Sequence, residues 1–363
     1  VFIGRDRFGQ KPLFFYHSKN GIELGSQANL FDQTKINDNE KTNFFTYGYT
    51  FGEDSIFRDI KKFPINSYGF FDIKNNKLDI KKSTCLKPFM KKRLNAPLNL
   101  AALENSIITS LSNCLIADVP IGLLLSGGID SSLLLQYSLD IKRDINVFNA
   151  SYGGSSNFNE SPIAEKFCKE NHLKLNKLQL SDLSVDEFID FTSKLDEPLA
   201  DPAALGVYQL TKGLKENGIT VGITGDGGDE LFLGYPHYRK AQNARYLKLI
   251  FKNLNFLPKE IFKFKDYSNR LLGLIERDKH ISTFFNMYFN KYERKDMMLS
   301  EYSSEDVKQT VWDNSPGDYI ERQQDHDINF TLSNGYLVKS DRSSMINSVE
   351  LRSPLLCESV VDF

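Results

Sequence analysis

The chain reads as an α/β protein with a parallel sheet, preceded by a smaller β-rich part. Three observations predict this. Short apolar or alternating runs separated by turn residues fill positions 1 to about 85. From about residue 98 the apolar spacing lengthens to a helical period, and strand and helix then alternate. Such alternation implies parallel strands joined by crossover helices, with both sheet faces covered. At 363 residues the chain also exceeds the roughly 250–300 residues at which one core stops growing, so two domains are expected.

The elements follow in order. Val1–Gly4, Leu13–Tyr16 and Gly21–Gly25 are strand candidates. Ser67–Ile73 and Lys77–Ile80, joined at Asn75-Asn76, have the pattern of a hairpin. Lys87 to Pro97 has the composition of a linker. Leu100–Leu115 carries the apolar period of a helix. A strand then ends at Leu125 and leads into a helix running through Leu139. Ile145–Ala150, Leu173–Leu180 and Ile219–Thr224 are predicted as strands, and Ser161–Asn171 and Ala203–Lys215 as helices. Residues 235 to 345 look mostly helical, their lysines interspersed with acids as on a solvated face. The expected partition is a β-rich part at 1–85, a linker at 86–98 and an α/β domain at 99–363.

Composition narrows the class. A charged fraction of 25%, a hydrophobic fraction of 40% and a net charge of −2 describe a globular protein without a dedicated nucleic-acid surface. No apolar run approaches the roughly 20 residues that span a bilayer. Cys85, Cys114, Cys168 and Cys357 form no CxxC pair, and the five histidines are scattered, so no structural zinc site is expected. Free thiols in a reducing cytoplasm are the expectation. The chain opens at Val1 and stops within Val360-Val361-Asp362-Phe363, which suggests an internal piece of a longer protein.

Two segments carry the chemistry. In the first, the apolar run Ile121–Leu125 ends in Ser126-Gly127-Gly128, and Asp130, Ser131 and Ser132 open the next helix. Amides at a helix start carry partial positive charge and cradle phosphate. Gly127 and Gly128 let the backbone approach an anion, and the serines add hydroxyl donors. Asp130 would repel a phosphate unless Mg²⁺ sits between them. A plain strand–turn–helix with Asp and Ser caps is the bland alternative. The second segment, Thr224-Gly-Asp-Gly-Gly-Asp-Glu230, follows a predicted strand. Its clustered carboxylates repel one another unless a cation or an electrophile needs them. Asp229 is the candidate second metal ligand, and a Gly-rich turn capping a helix near Leu231 is the alternative.

Other charged segments are less specific. In Asp196-Glu-Pro-Leu-Ala-Asp-Pro202, Asp201 suits a cap and Pro202 a first helical turn, with substrate lining as the competing reading. Arg342, Glu350 and Arg352 fit either a buried ion network or a grip on a substrate carboxylate and phosphate.

These motifs in combination resemble the glutamine-dependent asparagine synthetase family. SGGIDSS matches its pyrophosphate loop, and GDGGDELFLGY matches its Gly/acid loop. DEPLADP, DRSSM and VELRSPLL follow in the expected order, and GRDRFGQKPLFFY resembles the tail of a glutaminase domain. The resemblance implies the C-terminal part of an N-terminal-nucleophile glutaminase at 1–85 and an ATP-pyrophosphatase domain at 99–363. It implies that ATP adenylates the aspartate β-carboxylate, with pyrophosphate released, and that glutamine-derived ammonia then displaces AMP. Ser126, Gly127, Gly128, Asp130 and Ser131 would hold pyrophosphate and Mg²⁺. Leu125 and Ala150 would meet the nucleoside, and Thr224 and Gly225 would line the ATP site. Asp226 would serve the acyl-adenylate step, and Asp229 would be the second metal ligand. The implied partners are small molecules, with no nucleic acid and no membrane, and a homodimer is compatible with the reading.

Two departures stand out. Cys357 occupies a position where the family commonly has Asp. The family's N-terminal catalytic Cys and a late catalytic Lys have no counterpart between Val1 and Phe363, so this piece is not expected to hydrolyse glutamine. A related amidotransferase acting on another carboxylate is the first alternative. A non-catalytic nucleotide-binding protein is the second, and it would predict damaged loops, whereas Asp130 and Asp229 are intact.

Overall fold

A computed structural model describes residues 1–32, 35–82, 99–141, 145–152, 160–238, 288, 289, 294, 297 and 317–363. The predicted linker and most of the predicted helical stretch at 235–345 lie outside the described residues. The chain divides into two units. The first comprises Val1–Leu94, Asp196–Ala200 and Leu233–Tyr336, and the second Asn95–Leu195, Asp201–Phe232 and Leu337–Phe363.

In the first unit, β1 (Phe2–Arg5), β5 (Ser67–Asp72) and β6 (Lys77–Lys82) form an antiparallel sheet in the order β1-β5-β6. A second sheet orders β3 (Gly21–Gly25), β2 (Phe14–Ser18) and β4 (Lys61–Lys62). The β5–β6 hairpin turns where Asp72 accepts from the amides of Lys74 and Asn75, and Asn76 takes a left-handed φ of 47°. Strand alternation directs Ile3 and Phe71 into one core cluster with Phe63, and Leu13, Phe15 and Ile22 pack against it.

Helix α1 (Asp38–Tyr47) was not expected within this β-rich stretch. Its caps are clear: Asn37 accepts from the Asn39 amide, and Gly48 closes the C-terminus with φ 84°. Its buried face is largely polar, with Glu40, Thr42, Asn43 and Thr46, so no apolar period announces it. Glu40 accepts from Asn43 at 2.7 Å and from the Phe51 amide at 2.6 Å.

The second unit is built on a parallel sheet of β7 (Ile121–Leu124), β8 (Asn146–Tyr152), β9 (Leu175–Leu180), β10 (Val221–Ile223) and β11 (Glu350–Arg352). Their order is β11-β10-β7-β8-β9. Adjacent residues face opposite sides. Leu123 and Val147 join a cluster with Ile107 and Leu111 of α2 (Leu100–Cys114), Leu134 and Leu135 of α3 (Ile129–Ile141), and Ala164 and Cys168 of α4 (Ser161–Glu170). Their neighbours Leu124 and Phe148 pack instead with Leu214 of α6 (Ala203–Glu216). The sheet is therefore covered on both faces, as its apolar strands require. This is the predicted α/β class.

Further elements went unpredicted, β4 among them. Helix α5 (Val185–Ser193) carries a capping box between Ser184 and Glu187. Strand β11 lies in what looked only like a charged segment.

Candidate functional site

The two glycine loops leave neighbouring strands. Strands β7 and β10 pair in parallel, with Ile121 opposite Val221 and Leu123 opposite Ile223. Loops at the carboxyl ends of adjacent parallel strands emerge side by side, about 4.8 Å apart. The strand order also turns here: β8 and β9 lie on one side of β7, and β10 and β11 on the other. Crevices outside such switch points receive ligands in open α/β sheets.

The first loop is braced from below. The Leu125 amide donates to the Phe148 carbonyl at 2.8 Å. Asn149 Nδ2 donates to the Leu125 carbonyl at 2.7 Å, and Asn149 Oδ1 accepts from Ser161 Oγ at 2.6 Å. Sequence reading gave Asn149 no role. Its signal was a polar residue inside an otherwise apolar strand. Ser126 Oγ accepts from the Gly128 amide at 3.0 Å and lies 3.1 Å from Ser131 Oγ. Ser131, buried, donates to the Gly128 carbonyl at 3.2 Å. These bonds close the turn from which α3 starts. Gly127 has φ +103°, and a Cβ there would stand 2.9 Å from the Glu160 carbonyl, so only glycine fits. Ala150 sits half-buried on β8, opposite Leu178.

In the second loop, the Thr224 amide donates to the Arg352 carbonyl at 2.9 Å. Thr224 Oγ1 donates to Asp226 Oδ2 at 3.1 Å and lies 3.4 Å from Ser353 Oγ. Helix α7 (Gly228–Phe232) begins three residues before the expected Leu231. Asp229 is half-buried, and Glu230, which the sequence reading left without a role, is buried.

The loops meet at Asp130. A Cβ on Gly225 would stand 3.1 Å from Asp130 Cβ, and one on Gly228 only 2.5 Å from the Asp130 carboxyl carbon. The carboxylate of one loop thus seats where the other loop has no side chain. Burial pushes the Asp130 carboxyl above its usual range, and the charge of Asp229 pushes it further. Two half-buried acids crowding each other are the electrostatic condition for attracting a cation. Among the described residues no set of three or more His, Cys, Asp or Glu side chains gathers as a metal cluster.

Other candidates lie elsewhere. Asp196 and Glu197 belong to the first unit. There Asp196 accepts from the Ala28 amide at 2.8 Å, while Glu197 accepts from the Ile56 amide at 2.9 Å and pairs with Lys62 at 3.2 Å. Asp201 does serve the start of α6, accepting from the Ala203 amide at 2.9 Å. Arg352 donates to the carbonyls of Cys114 and Ile116 and pairs with Glu350 at 3.1 Å, so it closes the end of α2. Arg342 is buried in the helix Leu337–Met345.

Fold and site together define the class: an α/β domain on a parallel sheet, with a serine–glycine loop and a glycine–acid loop side by side at its switch point. Comparison with known proteins then gives the family. The chain belongs to the asparagine synthase family, whose model matches residues 102–363, and a glutamine amidotransferase domain model matches residues 1–83. Glutamine-hydrolysing asparagine synthetase 1 of Bacillus subtilis is 27% identical over 100% of this chain and 59% of its own length. Asparagine synthetase 2 of the same organism is 24% identical over 65% of this chain and 34% of its own length. Amidase chyE of Penicillium rubens is 29% identical over 34% of this chain and 20% of its own length. The chain thus spans less than two thirds of these relatives. Among the described residues no helix is long and apolar enough to cross a membrane.

Proposed function

We propose that the protein from which this chain comes amidates a carboxylate at the expense of ATP, with aspartate as substrate and asparagine as product. The observation that carries this reading is the seating of Asp130 against Gly228, which joins the two loops at the sheet's switch point. A carboxylate oxygen is a poor leaving group. Attack of the aspartate β-carboxylate on the α-phosphorus of ATP converts it into an adenylate and releases pyrophosphate. Ammonia then adds to the acyl carbon, and AMP leaves.

The residues divide this work. The amides at the start of α3 and the turn Ser126–Gly128 would hold the pyrophosphate end of the nucleotide. Leu125 and Ala150 would meet the nucleoside, with Thr224 and Gly225 beside them. Asp226, held by the Thr224 hydroxyl, would face the acyl centre. One preorganised donor is typically worth roughly 3–4 kcal/mol, so several must act together. Asp130 and Asp229 fit Mg²⁺: they are two crowded carboxylates, and this ion takes few protein ligands and completes its shell with water and phosphate. Bound there, Mg²⁺ would neutralise charge on the departing pyrophosphate. Residues 1–85 would be the C-terminal part of the glutaminase domain that supplies ammonia, and 99–363 the synthase domain.

A second reading is amidation of a different carboxylate, on a sugar or a secondary-metabolite precursor. The likeness to an amidase over about a third of the chain favours keeping it. One experiment decides: pyrophosphate release by the complete protein across candidate carboxylates. Release of AMP and pyrophosphate with aspartate supports the first reading, and release with another carboxylate alone supports the second. Formation of ADP and phosphate refutes both.

A further inference from the structure

The end of α2 and the segment after β11 place two thiols around one hydrogen-bonded carbonyl. Ser110 Oγ donates to the Pro354 carbonyl at 2.6 Å, and the Cys357 amide donates to the same oxygen at 3.3 Å. Cys114 follows Ser110 by one turn, on the same face of α2. Cys114 and Cys357 are both half-buried free thiols packed against one core cluster. The charge of a Cys357 thiolate reaches the Cys114 sulfur. Cys168, by contrast, is buried within the core at 2% exposure.

We propose that Cys114 and Cys357 are a peroxide-oxidisable pair that closes to a disulfide. Cys357 reacts first. Burial raises its thiol, but hydrogen bonds from Ser359 and the Glu358 amide outweigh burial and leave it below the ordinary thiol range. Burial holds the Cys114 thiol above that range, which suits the resolving partner. The Cys357 thiolate attacks one peroxide oxygen, the O–O bond breaks, and the departing oxygen takes up a proton to leave as water. Cys114 sulfur then attacks the sulfenic sulfur, the S–O bond breaks and a second water leaves. Two thiols are oxidised by two electrons in all, and one peroxide is reduced by two. The new bond would tether to α2 a segment in direct contact with the glycine–acid loop. Leu356 packs on Gly227, and Ser353 Oγ lies 3.4 Å from Thr224 Oγ1.

The test uses the full chain treated with stoichiometric hydrogen peroxide, alkylated, digested and mapped by mass spectrometry. Free thiols should fall from the four of the sequence to two, with a linked peptide joining Cys114 to Cys357, and dithiothreitol should restore all of them. In Cys114→Ser the link should vanish and dimedone should label Cys357. The proposal is overturned if wild-type Cys357 takes dimedone as readily as it does in Cys114→Ser and no Cys114–Cys357 peptide forms. It is equally overturned if the link forms through Cys85 or Cys168 instead. None of these readouts depends on the proposed amidation.

Discussion

Replacing Gly228 with alanine would drive a methyl group into the Asp130 carboxylate. The added carbon would stand 2.5 Å from both the carboxyl carbon and Oδ2, whereas ordinary contact begins at 3.4 Å. Asp130 must therefore retreat by about 1 Å, and a misplacement of that size costs about 100-fold in rate. The fold should survive. Gly228 does not need a positive φ, and alanine in a helix is favoured over glycine by about 1 kcal/mol. The assay is pyrophosphate release by the complete protein, set beside a urea melt of the same variant. About 100-fold less release with an unchanged or higher urea midpoint is expected. Wild-type turnover in Gly228→Ala would show that the position of the Asp130 carboxylate does not matter, and the account of the two loops would fail.

Three other outcomes follow from buried polar groups. Burial pushes the Glu40 carboxyl up to about 7 from 4.5. Between those values the unfolded chain sheds the proton while the folded chain keeps it, so stability should fall by about 3 kcal/mol as pH rises through that window. Glu40→Gln should flatten this slope, and parallel urea profiles for the two proteins would refute the assignment. Burial alone would raise Asp327, but the hydrogen bond with His237 and the charges of His237 and His326 outweigh it and hold its carboxyl at about 2. Its contribution should be intact above pH 4 and fade as pH drops toward 2, a loss that acid titration of Asp327→Asn should not show. Asn149→Ala would strand the Leu125 carbonyl, at about 1–3 kcal/mol for a buried group, and a chemical melt with no loss of stability would remove its bracing role.

Much of this site was legible because its residues are local. The run from Leu125 to Ser132 announces its own turn, and so does the run from Thr224 to Glu230. What no local pattern states is that β10 lies beside β7 rather than at the far edge. That neighbour choice, which brings Gly228 to Asp130, is settled by long-range pairing. Two of the missed elements lack the local signal of their kind. Helix α1 buries polar groups that hydrogen-bond one another, so it lacks the apolar stripe that marks a helix. Strand β11 is three residues long and charged at both ends: Glu350 pairs with Arg352, which also donates to the end of α2. Asp196 and Glu197 sit in a segment for which substrate lining was the competing reading, yet their carboxylates satisfy backbone amides more than a hundred positions away.

Magnesium-dependent nucleotide binding tests the two-loop account most directly. Calorimetric titration of Mg·ATP into the complete protein, and into its Asp130→Asn and Asp229→Asn variants, should show affinity falling at least tenfold in both variants and losing its dependence on magnesium. Equal affinity in all three proteins, with magnesium making no difference, would contradict it.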